Sequence, residues 1–269
     1  MNGQDTIREA AHLAHRGTEL RPGSRVVPEE TPVAMSYNGS TQAVMMATPA
    51  DIEDFAVGFS LTEGIVRDLA EIEKIDIVVL EQGIDAQMRL SELPERQLAA
   101  RRRFMAGPVG CGLCGIDSIE QALRPLPPLG ASGAVFSAGM MIDAMSALSS
   151  RQELNAVTRA VHGAGFYSPA EGLLAVREDV GRHNALDKLV GAVARGGMAA
   201  GSGIVAVTSR VSVEMVQKTV MMGAPVLAAI SAPTALAIRS AEAAGLTLVA
   251  LVRGGDFDIY THGDRIAAD

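Results

Sequence analysis

The chain has 269 residues, 48% apolar and 20% charged, enough to bury a substantial core as one large domain or as two lobes. Its formal charge of -8 excludes broad electrostatic wrapping of nucleic acid or of an anionic membrane, although a local basic pocket can still hold a phosphorylated ligand. Only two cysteines are present, Cys111 and Cys114, which excludes the disulfide framework of a small secreted domain.

Residues 1–24 read as a polar leader, flexible or helical. It carries Asp5 and Glu9 and no continuous apolar stretch, unlike a secretory signal, so a cytoplasmic location is expected. The longer apolar stretches downstream are interrupted by charge, proline or glycine, the mark of buried soluble elements rather than membrane spans. Pro28 and Pro32 mark entry into folded structure. Residues 43–47 read as a strand. A helix is expected over 52–61, where Ile52, Phe55 and Phe59 recur at helical spacing, with Asp51 placed to cap it and Gly64 to stop it. Residues 75–80 and 86–90 read as strands separated by Gly83, and 94–104 as a short helix ending in Arg101, Arg102 and Arg103.

Then comes Gly107-Pro-Val-Gly-Cys-Gly-Leu-Cys-Gly115, a run of small residues suited to a loop that approaches a partner closely. A helix is expected to start at 116–123, and Pro125, Pro127 and Pro128 mark a boundary near 124–134. The expected organisation is an N-terminal α/β portion over 25–124, including the cysteine loop 107–115, and a C-terminal portion over 134–269. In the latter, 140–148, 152–161 and 184–194 read as helices and 173–176 as a strand. A β-α-β-α-β run follows: strand 204–207, helix 213–222, strand 226–230, helix 235–243 and strand 246–252. Its strands are almost wholly apolar and need cover on both faces, so the fold class is α/β, with a mixed, partly parallel sheet flanked by helices and a smaller N-terminal α/β portion. No glycine fingerprint of dinucleotide-binding domains and no phosphate-binding loop with its lysine follows any strand.

The Cys-x-x-Cys pair has three chemical uses. Zinc needs about four ligands, and only His12, His15, His162, His183 and His262 could complete a set. A thioredoxin-like dithiol expects a strand before it, where this chain has Gly-Pro-Val-Gly. Sulfur carriage needs an accessible thiolate that accepts a terminal sulfur as a persulfide and a second thiol to help release it. A plain flexible loop that holds two small residues stays open beside these.

A second constellation, Arg177-Glu-Asp-Val-Gly-Arg-His-Asn-Ala-Leu-Asp-Lys188, follows an expected strand and crosses a helix start, where ligand-binding groups collect in α/β sheets. Arg182 suits a phosphate, Asn184 a helix cap or a base, and His183 a hydrogen bond or proton transfer; Asp187 and Lys188 suit a site or, equally, a solvated helix face. His162 is expected in a turn after a helix. Ser209 and Arg210, then Ser231 and Thr234, then Arg253 follow successive strands, an arrangement that favours a phosphate-bearing or polyhydroxylated ligand. Glu214 and Lys218, four apart, are expected to support their own helix.

In order, Gly110-Cys-Gly-Leu-Cys-Gly115, the region of Phe136, Val161-His-Gly-Ala-Gly-Phe166, Glu178 to Lys188, Ser209-Arg-Val-Ser212, Ser231-Ala-Pro-Thr234 and Arg253-Gly-Gly-Asp-Phe257 resemble the FdhD family, from about residue 28 to the C-terminus. That resemblance implies an accessory sulfurtransferase that takes sulfur from a cysteine desulfurase as a cysteine persulfide. The sulfur then passes to the molybdenum or tungsten bis-pterin guanine dinucleotide cofactor of formate dehydrogenase. It assigns sulfur transfer to Cys111 and Cys114. Cofactor or guanine-nucleotide recognition, with GDP as one occupant, falls to His162, Arg182, His183, Asn184, Ser209, Arg210, Ser231, Thr234 and Arg253. It further implies a cytidine deaminase-like fold, a homodimer, no permanent metal, and no nucleic-acid or membrane partner. The deaminase metal signature is missing, since no His-x-Glu or Cys-x-Glu lies upstream of the cysteines. The rival readings are a non-catalytic cofactor chaperone, which needs neither thiol, and a zinc-stabilised interaction protein.

Overall fold

The structure is a computed structural model that describes residues 5–91, 125–130 and 134–268. The expected helices at 94–104 and 116–123, the arginine run 101–103 and the loop bearing Cys111 and Cys114 lie outside the described residues.

The leader forms a hairpin rather than a helix. Strands β1 (Ile7–Arg16) and β2 (Glu19–Pro28) pair antiparallel in unbroken register, and Gly17 turns the chain at a φ of 63°. Nearly every side chain of both strands is exposed, so burial imposes no period-two hydrophobic pattern for a sequence reading to detect. β3 (Thr31–Tyr37) and β4 (Ser40–Ala47) follow as a second hairpin, then α1 (Ile52–Thr62), β5 (Ile72–Leu80) and β6 (Gly83–Leu90). They form a four-stranded sheet in the order β4-β3-β6-β5, whose inner face packs Val33, Met35, Ile84 and Met88 against Phe55 and Phe59 of α1. Asp51 does not cap α1 with its side chain. It sits in the left-handed region at a φ of 54°, and its carboxylate lies 3.6 Å from Arg177 instead.

β7 (Phe136–Ser137) leads into α2 (Ala138–Ser150), whose first turn is capped by the Ser137 hydroxyl accepting from the Met140 amide. The next helix, α3 (Glu153–Thr158), ends early because Arg159 enters the left-handed region. The chain is therefore extended by His162, which opens β8 (His162–Ser168) rather than occupying a turn. β9 (Gly172–Asp179), α4 (Arg182–Arg195), β10 (Ile204–Val207), α5 (Val213–Met222), β11 (Val226–Ala229), α6 (Ala235–Ala244) and β12 (Thr247–Arg253) follow. These are the expected elements to within a few residues. β13 (Asp256–Thr261) closes one edge antiparallel to β12, and β14 (Ile266–Ala267) pairs with β7.

The larger sheet has the order β13-β12-β11-β10-β8-β9, with β10, β11 and β12 parallel and the rest antiparallel. The expected mixed, partly parallel sheet is therefore present. Alternation along the strands sends Ile204, Ala206, Val226, Ala228 and Val249 toward α2, and Val205, Val207, Leu227, Ala229 and Leu248 toward α4, α5 and α6. At ~1.5–3 kcal/mol for each fully buried large aliphatic side chain, these two cores dominate the driving force.

α4 is enclosed on both sides, by the sheet and by α1. The two helices touch backbone to backbone at paired glycines: a Cβ on Gly58 would stand 1.7 Å from the Asp187 carbonyl oxygen, and one on Gly191 would stand 1.9 Å from that of Asp54. Charges lock the contact. Asp54 receives Arg177 at 2.6 Å and Arg195 at 2.5 Å, a doubly clamped carboxylate at the start of α1.

Candidate functional site

Strand direction gathers the polar exits. Because β10, β11 and β12 are parallel, Ser209, Ser231 and Arg253 leave the sheet along one edge. β8 runs the other way beside β10, which brings its first residue, His162, to the same edge. There the Gly163 amide donates to Thr208 Oγ1 at 2.8 Å, and the Thr208 amide to the Gly163 carbonyl at 3.0 Å. β9 ends opposite His162 at Asp179, and the bend at 180–181 delivers Arg182 and His183 at the start of α4. The exits remain joined past the strand ends: the Val211 amide donates to the Ala232 carbonyl, the Thr234 amide to the Val211 carbonyl, and Arg253 Nε to the Ile230 carbonyl at 2.9 Å.

Three helices begin along this edge, so free amides and the positive ends of α4, α5 and α6 face it. Arg182 adds a full charge, and its Nε is buried with no hydrogen-bond partner among the described residues. A buried unpaired guanidinium donor costs ~1–3 kcal/mol, a penalty that an arriving anion removes. His183 Nε2 lies 3.4 Å from Ser212 Oγ and 3.9 Å from Glu214 Oε2. Burial, reinforced by Arg182 and Lys218, pushes the His183 imidazole down to about 4 against the opposing pull of Glu214 and Glu63. Burial, then Arg182, also lowers His162, while Asp179 opposes them. For Glu214 burial works against ionisation, but the Ser212 hydrogen bond, its own backbone amide, His183 and Arg182 together hold it below the usual glutamate range. The edge thus carries the arginine cations Arg182, Arg210 and Arg253, neutral imidazoles and an ionised glutamate at neutral pH.

The remaining expected residues divide. Ser209 is buried, its hydroxyl donating to the Arg210 carbonyl at 3.0 Å, while Arg210 and Arg253 are exposed and Ser231 is half-buried. Thr234 accepts from the Ala237 amide at 3.2 Å and caps α6. Asn184 does not cap α4; it points inward, its amide nitrogen donating to the Met46 carbonyl at 2.8 Å and to Asp179 Oδ1 at 3.0 Å. Cys111 and Cys114 lie outside the described residues.

The solvated-face alternative for Asp187 and Lys188 is overturned, since both are fully buried. Lys188 Nζ meets Asp179 Oδ2 at 2.6 Å and the Thr48 carbonyl at 2.8 Å. Asp187 accepts from Thr62 Oγ1 at 2.6 Å and from Lys218 Nζ at 2.9 Å. Lys218 accordingly does not support its own helix by pairing with Glu214; it reaches Asp187 and Glu63, while Glu214 turns to His183. Sequence reasoning assigned no role to Asp179, Thr48 and Ser212. Ala185, Leu186, Leu189, Val190, Ala192 and Val193 fill one arc of α4 and leave Asn184, Asp187 and Lys188 on the other, a pattern that reads as a solvated face; Gly191 on that second arc is the sign that another backbone comes close.

Among the described residues, no group of three or more His, Cys, Asp or Glu side chains converges as a metal site, and no helix is long and apolar enough to cross a membrane.

The sequence profile of the FdhD/NarQ family matches residues 28–267. A protein of Brucella abortus described as sulfur carrier protein FdhD is 68% identical over 266 residues, covering 99% of each chain. One of Agrobacterium fabrum with the same description is 62% identical over 261 residues, covering 97% of this chain and 96% of the relative. A crystal structure from Desulfotalea psychrophila, described as that of a formate dehydrogenase accessory protein, superposes with a TM-score of 0.78 at 24% identity over 98% of this chain and 100% of the other, a likeness of fold. With the profile spanning nearly all of the chain and relatives so similar end to end, the protein belongs to the FdhD/NarQ family.

Proposed function

We propose that the protein is a sulfurtransferase that carries sulfur as a cysteine persulfide from a cysteine desulfurase to the molybdenum or tungsten bis-pterin guanine dinucleotide cofactor of formate dehydrogenase. Cys111 and Cys114 are the carriers. In loading, a thiolate of the pair attacks the terminal sulfur of the donor's persulfide; a new S–S bond forms and the donor cysteine leaves as a thiolate. In delivery, the second thiolate attacks the inner sulfur of the resulting persulfide. The terminal sulfur departs as sulfide with the bonding electron pair and goes to the metal of the acceptor, and the disulfide that remains is reopened by a dithiol reductant.

The acceptor's guanine nucleotide end binds at the edge that His162, Arg182, His183, Ser209, Arg210, Ser231 and Arg253 share, with Asn184 holding the bend from within and exposed Thr234 capping α6 beside it. The single observation that supports this pocket is the buried Arg182 Nε at the head of α4, without a hydrogen-bond partner among the described residues and suited to a phosphate oxygen. Neutral His162 and His183 then accept or donate hydrogen bonds without adding charge. The hairpin β8–β9 leading into three parallel strands supports a cytidine deaminase-like reading of the larger sheet. We read 25–124 as the sulfur-bearing portion and 134–269 as the ligand-binding portion of a cytoplasmic homodimer.

The deciding experiment incubates the folded protein with a cysteine desulfurase and 35S-cysteine. Label is expected on Cys111 or Cys114 and absent from the double alanine variant. Activation of formate dehydrogenase by that double variant would establish instead a chaperone that works without thiols. GDP titration tests the pocket separately: Arg182→Ala is expected to weaken binding tenfold or more, and unaltered affinity would remove Arg182 from the site.

A further inference from the structure

The bend that presents Arg182 and His183 is built around one buried carboxylate. Asp179 ends β9 directly opposite His162, and both of its oxygens are fully committed. Oδ1 accepts from the Gly181 amide at 2.8 Å and from Asn184 Nδ2 at 3.0 Å, while Oδ2 accepts from the Thr48 amide at 3.0 Å and from Lys188 Nζ at 2.6 Å. A Cβ at Gly181 would stand 2.9 Å from Asn184 Nδ2 and push that amide off its bond to Asp179. From the other side, Thr48 commits all three of its polar atoms to the same few residues. Its amide meets Asp179, its carbonyl receives Lys188, and its hydroxyl oxygen accepts from the Val180 amide at 3.2 Å. Thr48, Asp179 and Lys188 are each fully buried, so none of them reaches a ligand.

Stability alone is a poor reason for such a cluster. Removing a lysine and an aspartate from water costs about as much as their attraction returns, and well-packed apolar replacements of buried ion pairs are often neutral or better. What a charged pair with four directed donors supplies, and an apolar pair does not, is a fixed direction for the backbone that carries it. Here that backbone is the three residues before Arg182.

We propose that Thr48, Asp179 and Lys188 are positioning residues for the nucleotide end of the acceptor: together they lock the 179–181 bend and so fix where Arg182 and His183 stand, making affinity depend on a residue of the N-terminal portion. This rests on the pocket reading above, and the test separates the two. The full-length wild type, Lys188→Met and Thr48→Val are compared by calorimetric titration with GDP and by NMR titration of the His183 imidazole. All three are held well below their melting temperatures. Lys188→Met is expected to lower GDP affinity at least tenfold, and Thr48→Val, which deletes only the hydroxyl bond to Val180, two- to fivefold. In both the His183 titration is expected to move up from about 4 toward the ordinary value of 6.5 as the bend loosens and water enters. The charges acting most strongly on His183 are Arg182, Lys218, Glu214 and Glu63, and Thr48→Val alters no charge, so that shift reports geometry. If Lys188→Met does not fold, Thr48→Val decides alone. GDP affinity within twofold of wild type together with an unmoved His183 titration would overturn the proposal. Failure of the wild type to bind GDP would count against the pocket reading only, and the His183 titration would still decide the positioning role.

Discussion

Replacing Gly58 by alanine sets two effects against each other, and the geometry decides which wins. In an isolated helix the change stabilises, by up to ~1 kcal/mol, because alanine loses less backbone entropy than glycine. In this fold the new Cβ would lie 1.7 Å from the Asp187 carbonyl oxygen, 2.6 Å from its carbon and 2.8 Å from the Gly191 amide nitrogen. All three are backbone atoms with no rotamer to change, so α1 and α4 must separate by about 1.5 Å to restore van der Waals contact near 3.2–3.5 Å. That movement stretches the Thr62–Asp187 and Arg195–Asp54 contacts, now 2.6 and 2.5 Å. Overpacking alone costs ~1–3 kcal/mol, and weakening one or two charge-assisted bonds adds ~1.5–3 kcal/mol. Set against the helix gain, the net loss is about 3 kcal/mol, or a fall in Tm of roughly 6–12 °C for a chain of this size. Calorimetric melting of Gly58→Ala beside Gly191→Ala measures it. A Tm equal to or above wild type in either variant would refute the backbone contact as described.

Lys218→Met leaves the Asp187 carboxylate buried without its cation and is expected to cost ~3–5 kcal/mol, while Lys218→Met combined with Asp187→Leu recovers much of that loss; urea unfolding of the three proteins checks it. Stability is expected to fall as pH drops from 6.5 to about 4: in that window the unfolded chain protonates His183 and the folded chain does not, a loss of roughly 3 kcal/mol at the lower end that His183→Gln abolishes. His162, displaced in the same direction, steepens the same limb of the curve. Glu178→Ala removes the carboxylate that accepts both the Leu154 and the Asn155 amides at 2.8 Å, loosening α3, whose Thr158 carbonyl holds Arg25 of the first hairpin. Trypsin is expected to cut after Arg25 faster in that variant than in wild type, at a global stability cost of ~1–3 kcal/mol.

What the sequence disclosed follows from what burial does to residue choice. The run from β10 to β12 was legible because strands covered on both faces carry apolar residues without interruption, and the glycines Gly223 and Gly245 end their helices in the left-handed conformation. The hairpin β1–β2 was illegible for the converse reason, since exposed faces select for nothing periodic. At the site, the strand exits and Arg182 with His183 were readable from their position after strands. The destinations of Asn184, Asp187, Lys188 and Lys218 were not, because a polar residue written in a sequence does not declare whether its partner is water or a carboxylate 155 positions away, as for Lys218 and Glu63. Gly58 and Gly191, each inside a helix, were the overlooked signs that two backbones meet.

The enclosure of α4 between the sheet and α1 also bears on how the chain is made. α1 is complete at Thr62, but the helix that covers its outer face starts at Arg182, so the ribosome adds 120 residues (182 minus 62) between the two. At about 5–20 residues per second, that leaves the first sheet and its helix waiting of order ten seconds with Gly58 and the apolar flank of α1 unprotected. The early layer is therefore a natural client for a holdase during synthesis, and a ribosome stalled before Arg182 should release chains that aggregate, whereas one stalled after Arg195 should not.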